Sequence, residues 1–351
     1  MVKITSKQQK ILEITIKDSP LSSSIIHEKL SATGEDASLV TIKRSLSKMV
    51  KLGILNVSGS GPSTVYSAAT LGRIFAEING ETYCSLEPDK RYGLDRFNFD
   101  LLLSIPPEIF SEQELAFLDE ATTEYEKRTR DISDTIRKKE LERLVIELSW
   151  KSSRIEGNTY TLLDTEKLIL ENREAVGHDK KEAVMILNHK NAFDFVYYNQ
   201  NQYLNLTRSN LENLHRILVK DMTINFGIRS GTIGVTGSKY RPLDNIHQTR
   251  EAVEDLAGAI SRVSSPYAKA LVALLGISYI QPFEDGNKRT ARLMANALLL
   301  AHDRAPLSYR SVDENKYREA MLVFYEINSI IPAKKIFIEQ YDFAARNYAV
   351  K

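Results

Sequence analysis

Over the first seventy residues the apolar positions fall into three runs of helical spacing and then two of alternating spacing. Ser6–Ile16 turns Ile11, Leu12 and Ile14 inward and predicts a short helix. Ser22, Ser23 and Ser24 offer caps to a second, carrying Ile25, Ile26 and Leu30. A third starts near Ser38, with Leu39, Ile42, Leu46, Met49 and Val50 at helical spacing and Gly53 as its stop. Ile54–Val57 and Thr64–Ser67 predict two short strands joined by Ser58-Gly59-Ser60-Gly61-Pro62-Ser63. From Leu71 to Pro107 the pattern is irregular and broken by Pro88, Pro106 and Pro107, which predicts a linker over residues 71–110.

Beyond the linker nearly every segment has the helical period. Ser111–Arg130 and Asp131–Lys151 are long and charged, the second with a stripe of Leu141, Leu144, Val145 and Leu148. Thr165–Glu174, Lys181–Tyr198, Arg208–Lys220, Thr249–Val263, Tyr267–Ile280, Asn287–Ala301 and Glu314–Asn328 complete the set. Only Gly231–Val235 and Gly237–Leu243 alternate, as the arms of a hairpin. The pattern is that of a mainly α body with one β-hairpin, free of repeats.

Length and composition narrow this further. The 351 residues amount to about two domains at ~150 residues each. No apolar run approaches ~18 residues, which argues against membrane insertion. The start Met1-Val2-Lys3 opens no signal peptide, and Cys84 is the only cysteine, so neither an intrachain disulfide nor a Cys-rich zinc site is available. A reduced, cytoplasmic protein is expected. Charge is nearly balanced overall, but residues 1–70 hold nine Lys/Arg against five Asp/Glu, a net +4, while the remainder is −3. Two modules with different partners fit that asymmetry.

Three helices followed by a hairpin resemble a winged helix-turn-helix. In that resemblance the third helix is the recognition helix, and its polar side carries Thr41, Lys43, Arg44, Ser47, Lys48 and Lys51. Such side chains suit phosphates and base edges of DNA. A protein-interaction or dimerisation module with a solvated charged face fits the same residues. DNA contact through residues 1–70 and a homodimer both stay open.

The stretch with the most chemistry is Gln281-Pro282-Phe283-Glu284-Asp285-Gly286-Asn287-Lys288-Arg289-Thr290-Ala291-Arg292, a loop that opens a helix. A glycine-containing loop at a helix N-terminus gathers unpaired N–H groups and the positive end of the dipole, an anion site. Gly286 permits close backbone approach. Arg289 and Arg292, three apart, share a face and can clamp successive phosphates, and Asp285 is an oxygen ligand suited to Mg²⁺ on those phosphates. The competing account is a polar loop whose arginines make surface ion pairs.

This stretch resembles the signature His-x-Phe-x-Asp/Glu-Gly-Asn-Gly-Arg-x-x-Arg of Fic (Fido) domains, helical enzymes most of which transfer AMP from ATP to a target hydroxyl. Phe283, Asp285, Gly286, Asn287, Arg289 and Arg292 match, and the likeness extends over roughly residues 110–340. The resemblance implies Phe283 as core anchor and Asp285 as Mg²⁺ ligand. It further implies Asn287 and Arg289 on the α- and β-phosphates and Arg292 on the γ-phosphate. Val235–Leu243, with Val235, Gly237, Tyr240 and Arg241, looks like the family's flap, which docks the target backbone by strand addition. Arg229 matches the arginine before it. Ser152-Ser153-Arg154-Ile155-Glu156-Gly157-Asn158 is similar to the family's inhibitory helix, in which Glu156 would occupy Arg292 and deny it to ATP. Ser152 and Gly157 complete that motif, and a plain helix-end salt bridge is the competing account. The implied architecture is mainly α: a winged helix-turn-helix (1–70), a linker (71–110), a helical segment with the inhibitory motif (111–180) and a Fic helical core with a small β-hairpin flap (181–340).

Two positions depart from the signature. Gln281 stands at the catalytic histidine and Lys288 at a glycine. An imidazole accepts the hydroxyl proton near neutral pH, whereas an amide only orients a hydroxyl. Loss of a general base typically costs ~10²- to 10⁴-fold in rate, so turnover suffers while nucleotide binding need not. His302 sits about 22 Å along the helix from Asn287, at ~1.5 Å per residue, too far to substitute. His215 reads as a packed helix residue, His247 follows the flap as an outside candidate for the base, and His27, His178 and His189 have no case. Lys288 looks like the Doc branch, whose members phosphorylate their targets, or simply adds phosphate affinity. Three functions result: a self-inhibited, weakened protein adenylyltransferase using Mg-ATP; a nucleotide-sensing pseudoenzyme that binds DNA; and a Doc-like kinase. The target protein and its modified side chain are not written in the chain.

Overall fold

Hydroxyl side chains start the first helices where the pattern placed them. In the computed structural model, which describes residues 3–35 and 37–350, Thr5 and Gln8 form a capping box on α1 (Ser6–Lys17). After β1 (Leu21–Ser22), Ser22 caps α2 (Ser23–Ala32) and Ser38 caps α3 (Leu39–Lys51). Gly53, at φ +70°, lets the chain leave α3 for β2 (Leu55–Ser58) and β3 (Val65–Ala68). The strands are antiparallel in the order β1-β3-β2, with Leu21 and Val57 opposite Tyr66 on either side. Ile11, Leu12, Ile26, Ile42, Leu46 and Met49 are fully buried beneath them. β1, two residues long, is too short for any periodicity to announce.

Residues 71–110 are not a linker. They form α4 (Thr70–Ile74), α5 (Gly80–Cys84) and α6 (Asp100–Ser104), and they bury Phe75, Tyr83 and Leu101. Their anchors are tertiary. Arg91 pairs with the fully buried Glu326 at 2.9 Å, and that carboxylate also accepts from the Tyr83 hydroxyl (2.8 Å) and Ser238 Oγ (2.6 Å). Irregular spacing is what such a segment shows when each apolar residue meets a different partner. With residues 234–241 and 315–334, the chain up to Ile105 makes up one of two compact units.

Residues 231–243 carry no strand ladder, only a single bridge from Arg241 to Arg96, so the expected hairpin is instead a turn with irregular arms. Gly237 (φ +76°) and a bond from Ser238 N to Val235 O make the turn. The arms bond elsewhere: Gly237 O accepts from Arg91 Nη2 (3.0 Å), and Arg241 N donates to Asp95 O (2.9 Å).

The second unit, residues 106–233, 242–314 and 335 onward, is helical. It holds α7 (Glu112–Arg130), α8 (Asp134–Ile155), α9 (Leu162–Glu171), α10 (Lys180–Tyr198) and α11 (Arg208–Leu218). α12 (Ile246–Arg262), α13 (Pro266–Ile280) and α14 (Asn287–Ala301) follow. α13 and α14 are buried almost throughout and join through residues 281–286, the loop singled out above. Gly276 on α13 lets α12 approach, since a Cβ there would stand 2.3 Å from Leu256. The last helices are α15 (Glu314–Ile327), which from Asn315 on belongs to the first unit, and α16 (Ile331–Asn347). The pattern did not name α16, whose Pro332 reads as a breaker but lies in the first turn, where proline is tolerated. Among the described residues no helix is long and apolar enough to cross a membrane.

Candidate functional site

Most of the 281–286 loop backbone is held by residues from outside it or from the start of α14. Gln281 closes α13 in the left-handed region (φ 52°, ψ 59°), and its own amide Nε2 returns to Ser278 O at 2.7 Å. The buried Arg229 donates from its backbone N to Pro282 O (2.9 Å) and from Nε to Gln281 O (2.7 Å); its other guanidinium nitrogens bond Gly231 O and Leu243 O. Asn287 grips Phe283 twice, accepting from its N and donating to its O, both at 2.8 Å. The buried Phe283 ring stacks on His215 at 3.7 Å and 5° between planes. Gly286 (φ 77°) then turns the chain into α14.

Positive charge gathers behind this loop. Arg289 is 2% exposed; its Nη2 lies 3.4 Å from Asp285 Oδ2, and its Nη1 is buried with no hydrogen-bond partner. Burial lowers the Arg289 pKa from its usual value, yet at that basicity the group stays charged. Arg292, fully buried, donates from Nε to Ser152 Oγ (2.9 Å) and from Nη2 to Ser152 O (2.8 Å), while Nη1 meets Glu156 Oε1 at 2.9 Å. Lys288 Nζ stands 3.5 Å from Glu156 Oε2. Burial alone would raise the Glu156 carboxyl, but Arg292 and Lys288 outweigh it and hold it below the usual range. His189, at the back of the cluster, is kept neutral by burial and by the two arginines. Gly157 (φ +98°) ends α8 in a turn that bonds Asn158 N to Ser153 O, and Glu156 sits at the C-cap.

Ser152, Glu156 and Gly157 thus meet Lys288, Arg289 and Arg292 in one unit, beside Gln281, Asp285, Gly286 and Asn287. Asn287 has a structural part as well as the phosphate role expected of it: both ends of its amide hold Phe283 and shape the loop. Of the flap candidates, Val235 and Tyr240 are buried, Tyr240 stacking on Tyr325 at 5.8 Å, and all four residues lie in the other unit. Thr41, Lys43, Arg44 and Lys48 are exposed on α3, also in that unit. His247 is exposed in the first turn of α12, and His302 Nδ1 bonds Leu298 O at the end of α14. His215 is packed, as its helical setting implied, but packed on the loop itself; nothing in its local pattern marks that.

The second cation on Glu156 has a testable weight. Lys288→Ala is expected to weaken the Glu156 contact by about 0.2–1 kcal/mol, as for a half-exposed ion pair. Hydrogen exchange of the Glu156, Gly157 and Asn158 amides then quickens up to ~5-fold. In a Glu156→Gln background the same substitution has no effect on those amides.

Three cations, one orphaned guanidinium nitrogen and an open helix N-terminus suit a polyphosphate. Asp285 is 59% exposed and accepts from Gly286 N at 2.6 Å. Among the described residues no three His, Cys, Asp or Glu come together to hold a metal ion. One solvent-facing carboxylate fits a Mg²⁺ carried by phosphate oxygens, with Asp285 as its protein ligand.

Residues 205–299, which contain α11 to most of α14 and the whole loop, match the Fic/DOC family. The protein adenylyltransferase Fic of Drosophila willistoni is 31% identical over 172 residues, 48% of this chain and 34% of that protein. Its namesake in Nematostella vectensis is 28% identical over 174 residues, 48% of this chain and 41% of that one. The chain thus spans well under half of these relatives. Among solved structures, C. elegans Fic-1 superposes with a TM-score of 0.56 at 18% identity, covering 67% of this chain and 70% of that one. A Fic family protein from Desulfovibrio desulfuricans gives 0.56 at 19%, covering 69% and 75%. These likenesses establish the fold. Taken with the loop residues Phe283, Asp285, Gly286, Asn287, Arg289 and Arg292, they show a Fic domain over residues 205–299 of this chain.

Proposed function

We propose that the helical unit binds Mg-ATP and transfers AMP to a hydroxyl of a target protein, restrained by Glu156 and slowed by Gln281. The observation that carries this reading is Arg292, fully buried and held from three sides by Ser152 and Glu156. A guanidinium built into an anion site and occupied by a carboxylate of the same chain is a site under competition. In the reaction the target hydroxyl oxygen attacks the α-phosphorus, the bond to pyrophosphate breaks, and the hydroxyl proton leaves to water, since the Gln281 amide cannot take it. Arg289 offers its orphaned Nη1 to a phosphate oxygen, and Mg²⁺, held by Asp285, would neutralise phosphate charge.

Intact-protein mass spectrometry after incubation with Mg-ATP tests the proposal. A self-modified Glu156→Gly variant gaining ~330 Da is expected, the mass of an AMP group; a gain of ~80 Da supports the kinase instead. No adduct with ATP binding retained favours the sensing pseudoenzyme.

A second reading concerns α3. Its thirteen residues include Lys43, Arg44, Lys48 and Lys51 and no acid. All four are exposed, and among the described residues none makes an ion pair, whereas Lys10 and Lys29 of the same unit pair with Glu35 and Asp18. That face fits the phosphates bordering a DNA major groove. Lys43→Ala with Arg44→Ala is expected to weaken binding to duplex DNA and to flatten its log–log salt dependence by about 2. Binding indifferent to both removes this reading.

A further inference from the structure

His215 belongs to neither motif, yet it touches the loop twice. Its ring lies flat on Phe283, and its Nε2 is 3.0 Å from the carbonyl oxygen of Asp285. A carbonyl oxygen only accepts, so Nε2 carries the hydrogen and donates it. The other ring nitrogen, Nδ1, is buried without a hydrogen-bond partner, so this side chain makes one polar contact and makes it to the loop.

The peptide it holds is the critical one. Arg229 fixes the carbonyls of Gln281 and Pro282, and Asn287 fixes both backbone groups of Phe283. The Asp285–Gly286 peptide, last before α14, has its carbonyl turned toward His215. Its N–H is turned away from His215 and donates to the solvent-facing Asp285 carboxylate, at 2.6 Å from Oδ1. Gly286 at φ +77° has no Cβ to oppose rotation of that peptide, so the backbone alone does not choose between the two orientations. Turned over, the peptide would present its negative carbonyl end beside Arg289 and the helix N-terminus, where an anion is to bind.

We infer that His215 is the positioning residue of the anion loop: its N–H locks the Asp285–Gly286 peptide with the N–H, not the C=O, on the phosphate side. The consequence for ligand binding rests on the polyphosphate reading above; the lock itself does not.

Two variants separate donor from ring. His215→Phe keeps a flat ring on Phe283 without a donor, and His215→Gln keeps a donor that reaches the same carbonyl without the ring. Hydrogen exchange of the Gly286 and Asn287 amides, measured on the full chain without ligand, is expected to rise ~3- to 10-fold in His215→Phe, the loss of one hydrogen bond. In the Glu156→Gly background, calorimetric ATP affinity falls by a similar factor, and His215→Gln recovers most of both. Loop exchange in His215→Phe equal to the parent overturns the inference, as does a His215→Gln variant no better than His215→Phe. Faster exchange in His215→Phe alone, in a parent that binds no ATP, upholds the lock and rejects the polyphosphate reading. If His215→Phe does not fold, His215→Gln decides: loop exchange at the parental rate supports the donor, and exchange threefold faster or more overturns it.

Discussion

Replacing Glu156 by glycine is expected to tighten ATP binding by roughly 5- to 150-fold, the size of a typical coupling of ~1–3 kcal/mol between two binding events. The carboxylate sits 2.9 Å from Arg292 Nη1 and 3.5 Å from Lys288 Nζ, so its removal frees two cations at once. Stability should move the other way. A buried guanidinium without its counter-charge typically costs 3–5 kcal/mol, a figure the remaining bonds to Ser152 reduce here. The variant therefore melts lower than the parent without nucleotide and gains more on adding Mg-ATP. Calorimetric titration paired with melting curves, with and without ATP, checks both halves. Equal affinity in parent and variant would mean that Arg292 is no part of the nucleotide site.

Restoring a base is the second large effect. Gln281→His, made in the Glu156→Gly background, is expected to raise AMP transfer by ~10²- to 10⁴-fold. Position 281 is prepared for it: at φ 52° it lies in the left-handed region, which histidine tolerates better than most residues. The pH profile supplies the sign. An imidazole accepts a proton only in its neutral form, so transfer by the variant falls as pH drops through about 6.5 and levels off above it. The parent, with an amide at 281, stays flat over that interval. Adduct accumulation followed by mass spectrometry across the pH range measures both. No gain at any pH would locate the deficit in the pocket's shape rather than in the missing base.

Much of this was legible in the chain itself. Ser38 before α3, Ser111 before α7 and Gly53 after α3 act locally, through hydrogen bonds and φ preferences within a few residues, and so the helix starts and stops they imply hold in the structure. The loop residues Phe283 to Arg292 were equally visible, because a turn, a glycine and two arginines three apart are all short-range features. That Glu156 meets Arg292 was readable only through family resemblance, since 136 positions separate them in the chain.

What the fold alone decided depends on partners distant in sequence. Residues 71–110 look like a linker because their apolar side chains follow no period, yet Arg91 and Tyr83 converge on Glu326. The alternating arms of 231–243 predict a hairpin, but their backbone groups find Arg91 and Asp95 instead of each other. Asn287 carries the signature of a phosphate contact and is also used inside the loop, on Phe283. His215 reads as one more buried position of an amphipathic helix; only the packing of α11 against the loop sets its ring on Phe283 and its N–H on Asp285. Local propensity and short-range spacing are properties of neighbouring residues and survive in the sequence. The orientation of a peptide, or the partner of a buried charge, is settled by which surfaces meet when the chain collapses, and no window along the chain contains both sides of that contact.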